Sequence, residues 1–221
     1  MEIAIISDIH SNLSALKTVL KEIGRIKIFC SGDLVGYNPY PNEVIETLRK
    51  REVISIMGNH DHALIAGDTS QLNPIAASAI KWTAKKIEKE NLDFLRSLPE
   101  VNQNNFYMVH GSPQDSLYEY VHEDYPNEIF EYFFAIAKKD VIALGHTHVP
   151  FVRRFREKLI FNSGSVGQPR DFDPRASFAI LDTGAKSVDI IRVEYDIGGV
   201  AGKIIEEGLP GFLAERLFRG V

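Results

Sequence analysis

The chain has 221 residues, of which 44% are hydrophobic and 25% charged, with a formal net charge of −5. This composition suits one folded domain over residues 1–221 and excludes a disordered chain. The acidic balance supplies no global basic field for long nucleic acid, no run of about 18 apolar residues marks a membrane span, and the one cysteine, Cys30, cannot form an internal disulfide.

Residues 3–7 read as the first strand, with no basic lead before them, so a signal peptide is not expected and a reducing, cytoplasmic setting is. Leu13, Leu16, Leu20 and Ile23 then keep helical spacing behind a cap at Ser11 or Asn12. Asp8 and His10 fall in the turn between, facing the positive end of that helix. Residues 26–30 predict a second strand that ends at Asp33. A loop from Tyr37 leads into a helix over 42–51, and 53–59 reads as a third strand broken at Gly58, delivering Asn59, His60 and Asp61.

Residues 63–99 are expected to be helical, with Asn73 and Pro74 opening a helix through Glu90 and a shorter helix over 92–98. A strand over 106–109 delivers His110, a tyrosine-rich loop fills 112–126, and Ile129, Phe130, Phe133, Phe134 and Ala137 mark a helix. Residues 141–144 form a fifth strand ending in Gly-His-Thr-His. Beyond Pro150 the pattern reads as a β-meander over 151–155, 159–162, 177–182 and 188–193, followed by helices over 200–207 and 212–218.

Strand and helix alternate, and each of these polar residues lies just past a strand, at the edge where open α/β sheets bind ligands. One histidine at a strand end is usually a turn or a core residue. Seven side chains repeating that placement, Asp8, His10, Asp33, Asn59, His110, His146 and His148, suggest a built site. Two carboxylates, an amide oxygen and four imidazoles exceed one tetrahedral ion and suit two ions of higher coordination. One ion is assigned to Asp8, His10, Asp33 and His148, the other to Asp33, Asn59, His110 and His146, with Asp33 bridging. An extended Gly-His-Thr-His segment sets both imidazoles on one side.

Nitrogen and oxygen donors without thiolate admit manganese, iron, zinc, nickel or cobalt. Two such divalent ions leave a positive pocket in an acidic protein, suited to phosphate esters and to in-line attack by a bridging hydroxide. His60, beside a ligand but not needed as one, is placed to stabilise or protonate the leaving oxygen. Asp61 reads equally as a helix cap and as the group that fixes the His60 tautomer.

Arg170 and Arg175 read either as phosphate partners, as contacts to a neighbouring subunit, or as surface ion pairs. Tyr37, Tyr40, Tyr118, Tyr120 and Tyr125 read either as a wall for a nucleobase or as loop packing. His62 belongs to a helix start beside the site, His122 to the surface within reach of substrate, Trp82 to the core. The apolar C-terminal helices offer a surface for a homodimer.

Asp-Ile-His-Ser-Asn (8–12), Gly-Asp-Leu-Val-Gly-Tyr (32–37), Gly-Asn-His-Asp (58–61), His-Gly (110–111) and Gly-His-Thr-His (145–148) resemble, in order, the five motif blocks of the calcineurin-like metallophosphoesterases. The resemblance spans nearly the whole chain. It implies a four-layer α/β/β/α sandwich of two mixed sheets flanked by helices, dinuclear phosphoester hydrolysis, the same seven ligands and the same role for His60. Residues 37–45, 162–170 and 173–176 are similar to a small prokaryotic branch with YfcE-type phosphodiesterases and diadenosine tetraphosphatase-like proteins. That branch more often has glycine where Asn38 stands and proline where Ser163 stands.

The expected function is a phosphoric ester hydrolase acting on phosphodiester or phosphoanhydride bonds of a small nucleotide-like substrate. A phosphomonoesterase is the alternative among enzymes. A non-catalytic scaffold of the same fold is the rival outside them, and its expected mark, loss of ligand residues, is missing from this sequence.

Overall fold

Alternate residues of a strand face opposite ways, and in β1 (Glu2–Ile6) this sets the layering. Ile3 and Ile5 enter a core shared by two sheets, whereas Ala4 and Ile6 enter a second core under helices. The computed structural model describes residues 1–221. After β1 come α1 (Leu13–Ile23), β2 (Ile28–Cys30), α2 (Pro41–Lys50), β3 (Ile54–Ser55), α3 (Asn59–Ala66), α4 (Pro74–Lys86) and α5 (Lys89–Arg96). The chain continues with β4 (Val101–Asn102), β5 (Tyr107–Val109), α6 (Asn127–Ala137), β6 (Val141–Leu144), β7 (Phe151–Phe155) and β8 (Lys158–Asn162). It ends with β9 (Ala176–Asp182), β10 (Ser187–Val193), α7 (Ile197–Glu206) and α8 (Gly211–Arg219).

The first sheet has the order β10-β9-β1-β2-β3 and the second β4-β5-β6-β8-β7. Both are mixed: β1, β2 and β3 run parallel with β9 antiparallel to β1, and β5, β6 and β8 run parallel between antiparallel β4 and β7. Phe29, Met108, Ala143, Phe161 and Leu181 join Ile3 and Ile5 between the sheets. Leu16 and Val19 of α1 and Val44 and Leu48 of α2 cover the first sheet outside, and Phe130, Phe133 and Phe134 of α6 cover the second. The expected four layers follow. No helix is long and apolar enough to cross a membrane.

Four local expectations are corrected. The third strand is two residues long, and Asn59 and His60 begin α3, because Asp61 accepts the Gly58 amide hydrogen and caps the turn at once. The helix expected through Glu90 ends at Lys86. Ile87 and Glu88 are extended, and Asn42 ties down this break by donating to the Lys86 carbonyl and accepting from the Glu88 amide. The short strand β4 was not expected from the sequence pattern. The four strands after Pro150 form two hairpins in different sheets, β7 with β8 and β9 with β10, since the intervening segment crosses over the site.

α7 and α8 spend most of their apolar surface within the chain, on α4 and Tyr37. Their exposed large apolar side chains are Ile205, Phe212 and Phe218.

Candidate metal centre

The strand ends of both sheets meet at one edge, and the loops there bring together all seven donor side chains expected from the sequence. Asp8, His10, Asp33 and His148 form one buried group; Asp33, His110 and His146 form another. Within each group the candidate donor atoms lie within 4.8 Å of one another. His10 Nε2 is 3.1 Å from His148 Nε2, and His148 Nε2 is 3.3 Å from Asp8 Oδ1. Asn59 Oδ1 is 3.1 Å from His110 Nε2 and completes the second group.

One oxygen is common to both groups. Asp33 Oδ2 lies 3.4 Å from His10 Nε2 and 3.4 Å from His110 Nε2. Its other oxygen, Oδ1, is held by the His60 amide at 2.9 Å. The carboxylate therefore cannot rotate freely.

The imidazoles are aimed from behind. Nδ1–H of His10 donates to the Val35 carbonyl at 3.0 Å, that of His110 to Ser31 at 2.8 Å and that of His148 to Gln168 at 2.5 Å. Each bond turns Nε2 inward; in neutral His10 and His148 that nitrogen is bare, the state a cation needs, whereas on His110 it must first lose a proton. His146 is reversed: its Nε2 donates to the Tyr118 carbonyl, leaving Nδ1 for the site.

This convergence depends on unusual backbone. Asp8, His10, Asp33, His146 and His148 all have positive φ, between 46° and 68°, a region that ordinary side chains avoid. The Gly-His-Thr-His segment is thus not extended as expected. Its two histidines face the site through left-handed turns, while Thr147 Oγ1 is taken by Asn162 Nδ2 and the Val149 amide. Such strain persists where surrounding bonds over-determine it.

Those bonds come from residues that the sequence pattern did not single out. Asn38 Nδ2 donates to the His10 carbonyl at 2.8 Å, Ser165 Oγ to the Asp8 carbonyl, and Asn162 to Gly145 as well as Thr147. Asn38 was legible as a departure from its branch, but not its purpose. Gly58 is required by proximity, since a Cβ there collides with the Asp33 carboxylate and amide. Gly58→Ala is expected to displace Asp33 and destabilise the chain by about 1–3 kcal/mol. Urea unfolding checks this, and wild-type stability would refute the packing described.

Burial dominates the electrostatics. It pushes Asp8 up to about 7, against the pull of His110. It pushes His60 down to about 4 and His146 down to about 3, and holds His10 and His148 well below the usual histidine range. Burial also opposes a charge on His110, but Asp33 and Asp8 outweigh it and raise the ring to about 9. Asp33 is held low by its three histidine neighbours despite burial.

Two expected roles are corrected. The Asp61 carboxylate accepts from the amides of Leu34, Val35 and Gly58, so it braces the Asp33 loop and does not orient His60. His60 Nδ1 has no partner at all. Arg175 is bound to Asp173 on the surface and lies outside the cavity. Tyr40 and Tyr125 also lie outside it, and Trp82 lines a separate surface hollow near Lys86 and Lys203.

The cavity above the donors measures about 210 Å³. Asp33, Asn59, His60, His146 and His148 reach it from below, and Tyr37, Tyr118, Tyr120 and Arg170 form much of its wall. Arg170 donates to Tyr37 Oη at 3.2 Å. His62 lies behind this wall, bonded through Nδ1 to Tyr118 Oη, and exposed His122 stands beside Tyr120.

A calcineurin-like phosphoesterase superfamily domain matches residues 1–186, and the chain belongs to that superfamily. The uncharacterized protein MJ0912 of Methanocaldococcus jannaschii is 41% identical over 243 residues, covering 99% of this chain and 98% of its own. Phosphodiesterase YfcE of Escherichia coli K12 is 28% identical over 215 residues, covering 91% of this chain and 98% of that protein. The crystal structure of a metallophosphoesterase from Sphaerobacter thermophilus matches with a TM-score of 0.88 at 39% identity, over 100% of this chain and 99% of that one. The chain is a phosphoric ester hydrolase of a metal-dependent family.

Proposed function

We propose that the chain hydrolyses phosphodiester or phosphoanhydride bonds of a small nucleotide-like substrate at a pair of divalent cations, within a single domain over residues 1–221. The observation that carries this reading is the placement of Asp33 Oδ2 between two groups of buried nitrogen and oxygen donors. Asp8, His10, Asp33 and His148 would hold one cation, and Asp33, Asn59, His110 and His146 the other. The donor set fits manganese, iron, zinc, nickel or cobalt: it has no thiolate, and two of its imidazoles, His10 and His148, are neutral and already turned to present a bare nitrogen. Bound there, such ions supply charge stabilisation of the phosphoryl oxygens and a water acidic enough to act as nucleophile near neutral pH.

The chain's own groups do the rest. His60 is neutral at pH 7, and its Nδ1 is buried against Gly36 with no acceptor. The ring proton therefore belongs on Nε2, which opens on the cavity and can donate to the leaving oxygen. Arg170 is placed to hold a non-bridging phosphate oxygen, with Tyr37 fixing its direction. Tyr120 is 46% exposed at the mouth and offers a face to a base.

Cation binding should release protons. Below about 9 His110 carries a proton that it must lose to ligate, and below about 7 so does Asp8. Affinity is therefore expected to rise as pH rises from 6 to 9, with about two protons released near pH 6 and about one near pH 8. Calorimetry in buffers of different ionisation enthalpy reads this count directly; proton uptake would contradict it.

Elemental analysis of the purified chain, followed by rates on a diester, a monoester and a dinucleoside polyphosphate with each of the five metals, tests the function. Turnover of the diester or the polyphosphate above the monoester is expected. Faster monoester turnover would make the protein a phosphomonoesterase, and inertness toward all three would favour a scaffold.

A further inference from the structure

Arg170, the arginine on the cavity wall, is carried by a backbone segment under strain. Its amide donates to the His148 carbonyl at 3.3 Å, and its guanidinium bonds Tyr37 Oη and the Gln168 side-chain carbonyl. Two residues on, Phe172 has a φ of +66°, in the left-handed region that bulky side chains avoid. The Phe172 ring is 83% exposed, so no packing of that side chain offsets the strain. Such a turn persists only when its surroundings hold it.

The end of α8 holds it. The Phe172 amide donates to the Gly220 carbonyl at 2.8 Å, and Gly220, itself at a φ of +62°, closes the helix. A Cβ on Gly220 would lie 2.7 to 2.8 Å from the Asp173 backbone, whereas a Cβ on Gly208, whose φ is +69°, meets nothing within 4 Å. The contact at Gly220 is therefore one that no side chain fits. Between the His148 tie and the Gly220 tie stands only Asp171, which is paired with Arg192, so a shift at 172–173 passes on to Arg170.

The same helix also supports Arg170 from its other side. Leu213, Ala214 and Leu217 share a core with Tyr37, and the Arg216 guanidinium carbon lies 5.8 Å from the centre of the Tyr37 ring. All of α8 lies beyond residues 1–186 matched by the superfamily domain. We propose that Gly220 is a positioning residue for phosphate binding: its close contact with residues 172–173 fixes the Arg170 guanidinium at the cavity. This rests on the contact between Arg170 and a substrate phosphate proposed above.

The test is calorimetry of inorganic phosphate binding to the full, manganese-loaded chain, in which stoichiometry reports the folded fraction separately from affinity and no turnover is needed. Arg170→Gln is expected to weaken phosphate about ten-fold, the loss of one charge-assisted contact. Gly220→Ala is expected to weaken it at least about three-fold. Phe172→Pro should do the same, because proline neither takes a positive φ nor donates to Gly220, and at this exposed position it spares the core. Gly208→Ala adds comparable backbone strain without a collision and is expected to bind phosphate as the wild type does. On the Arg170→Gln background, neither Gly220→Ala nor Phe172→Pro should weaken phosphate further.

Wild-type affinity in either Gly220→Ala or Phe172→Pro, an equal loss in Gly208→Ala, or an undiminished loss on the Arg170→Gln background overturns the positioning role and leaves Arg170 on the phosphate. Wild-type affinity in Arg170→Gln overturns the phosphate contact and the positioning role together. Inertness toward every ester with all five metals, while the affinities behave as stated, overturns the hydrolase reading alone.

Discussion

Replacing Asp33 with asparagine is expected to lower both bound metal and turnover, the former from two equivalents to one or fewer and the latter by at least about 10³-fold. The size follows from the several kcal/mol of charge stabilisation that a cation supplies to a phosphoryl transition state. Both come from one atom, because Oδ2 faces His10 and His110 equally while Oδ1 is tied to the His60 amide. Asparagine keeps the tie through its carbonyl oxygen but offers no negative charge to share. Elemental analysis beside steady-state rates measures both losses, and retention of two tightly held ions would remove Asp33 from the bridging role.

His60→Ala is expected to separate what Asp33→Asn joins. Turnover should fall about 10² to 10³-fold, the range for losing one hydrogen bond to a developing oxyanion, while metal content stays at the wild-type level. The His60 imidazole meets His10 in a ring contact but makes no hydrogen bond to either donor group, and the backbone amide that holds Asp33 Oδ1 is kept in the alanine variant. The loss should depend on the leaving group: large for an alkoxide, whose localised charge needs a hydrogen bond from Nε2, and small for 4-nitrophenolate, whose charge spreads over its ring. Equal losses on both would assign His60 to binding and not to stabilising the leaving oxygen.

Much of the site could be read before the fold was known because its donors repeat a single event, an apolar run that stops at a metal-ligand side chain. Asp8, Asp33, His110 and His146 all follow strands that are buried along their length apart from Glu2 at the start of β1, so the apolar runs located them without any contact information. What periodicity did not reveal was the conformation that turns them inward. Positive φ is expected of glycine and asparagine, and here it falls on aspartate and histidine, where it is stabilised by distant side chains such as Asn38, Asn162 and Ser165.

Asp61 shows the same limit from another side. A carboxylate next to a histidine suggests a partner for the ring, yet in the fold three amides from two loops reach it first. Arg216 had no sequence signal, since nothing in a C-terminal amphipathic helix indicates that one of its residues will arrive beside Tyr37. The split of the last four strands between two sheets was equally hidden: a hairpin pattern states which strands pair, not which sheet receives them.

The most direct measurement is a titration of the chelator-stripped chain with manganese while diester hydrolysis is followed at pH 8. The expected result is no turnover at the start, a rise on addition of metal, and saturation at two equivalents per chain. Undiminished hydrolysis by the stripped chain, or saturation at one equivalent, would contradict a site built around a shared aspartate.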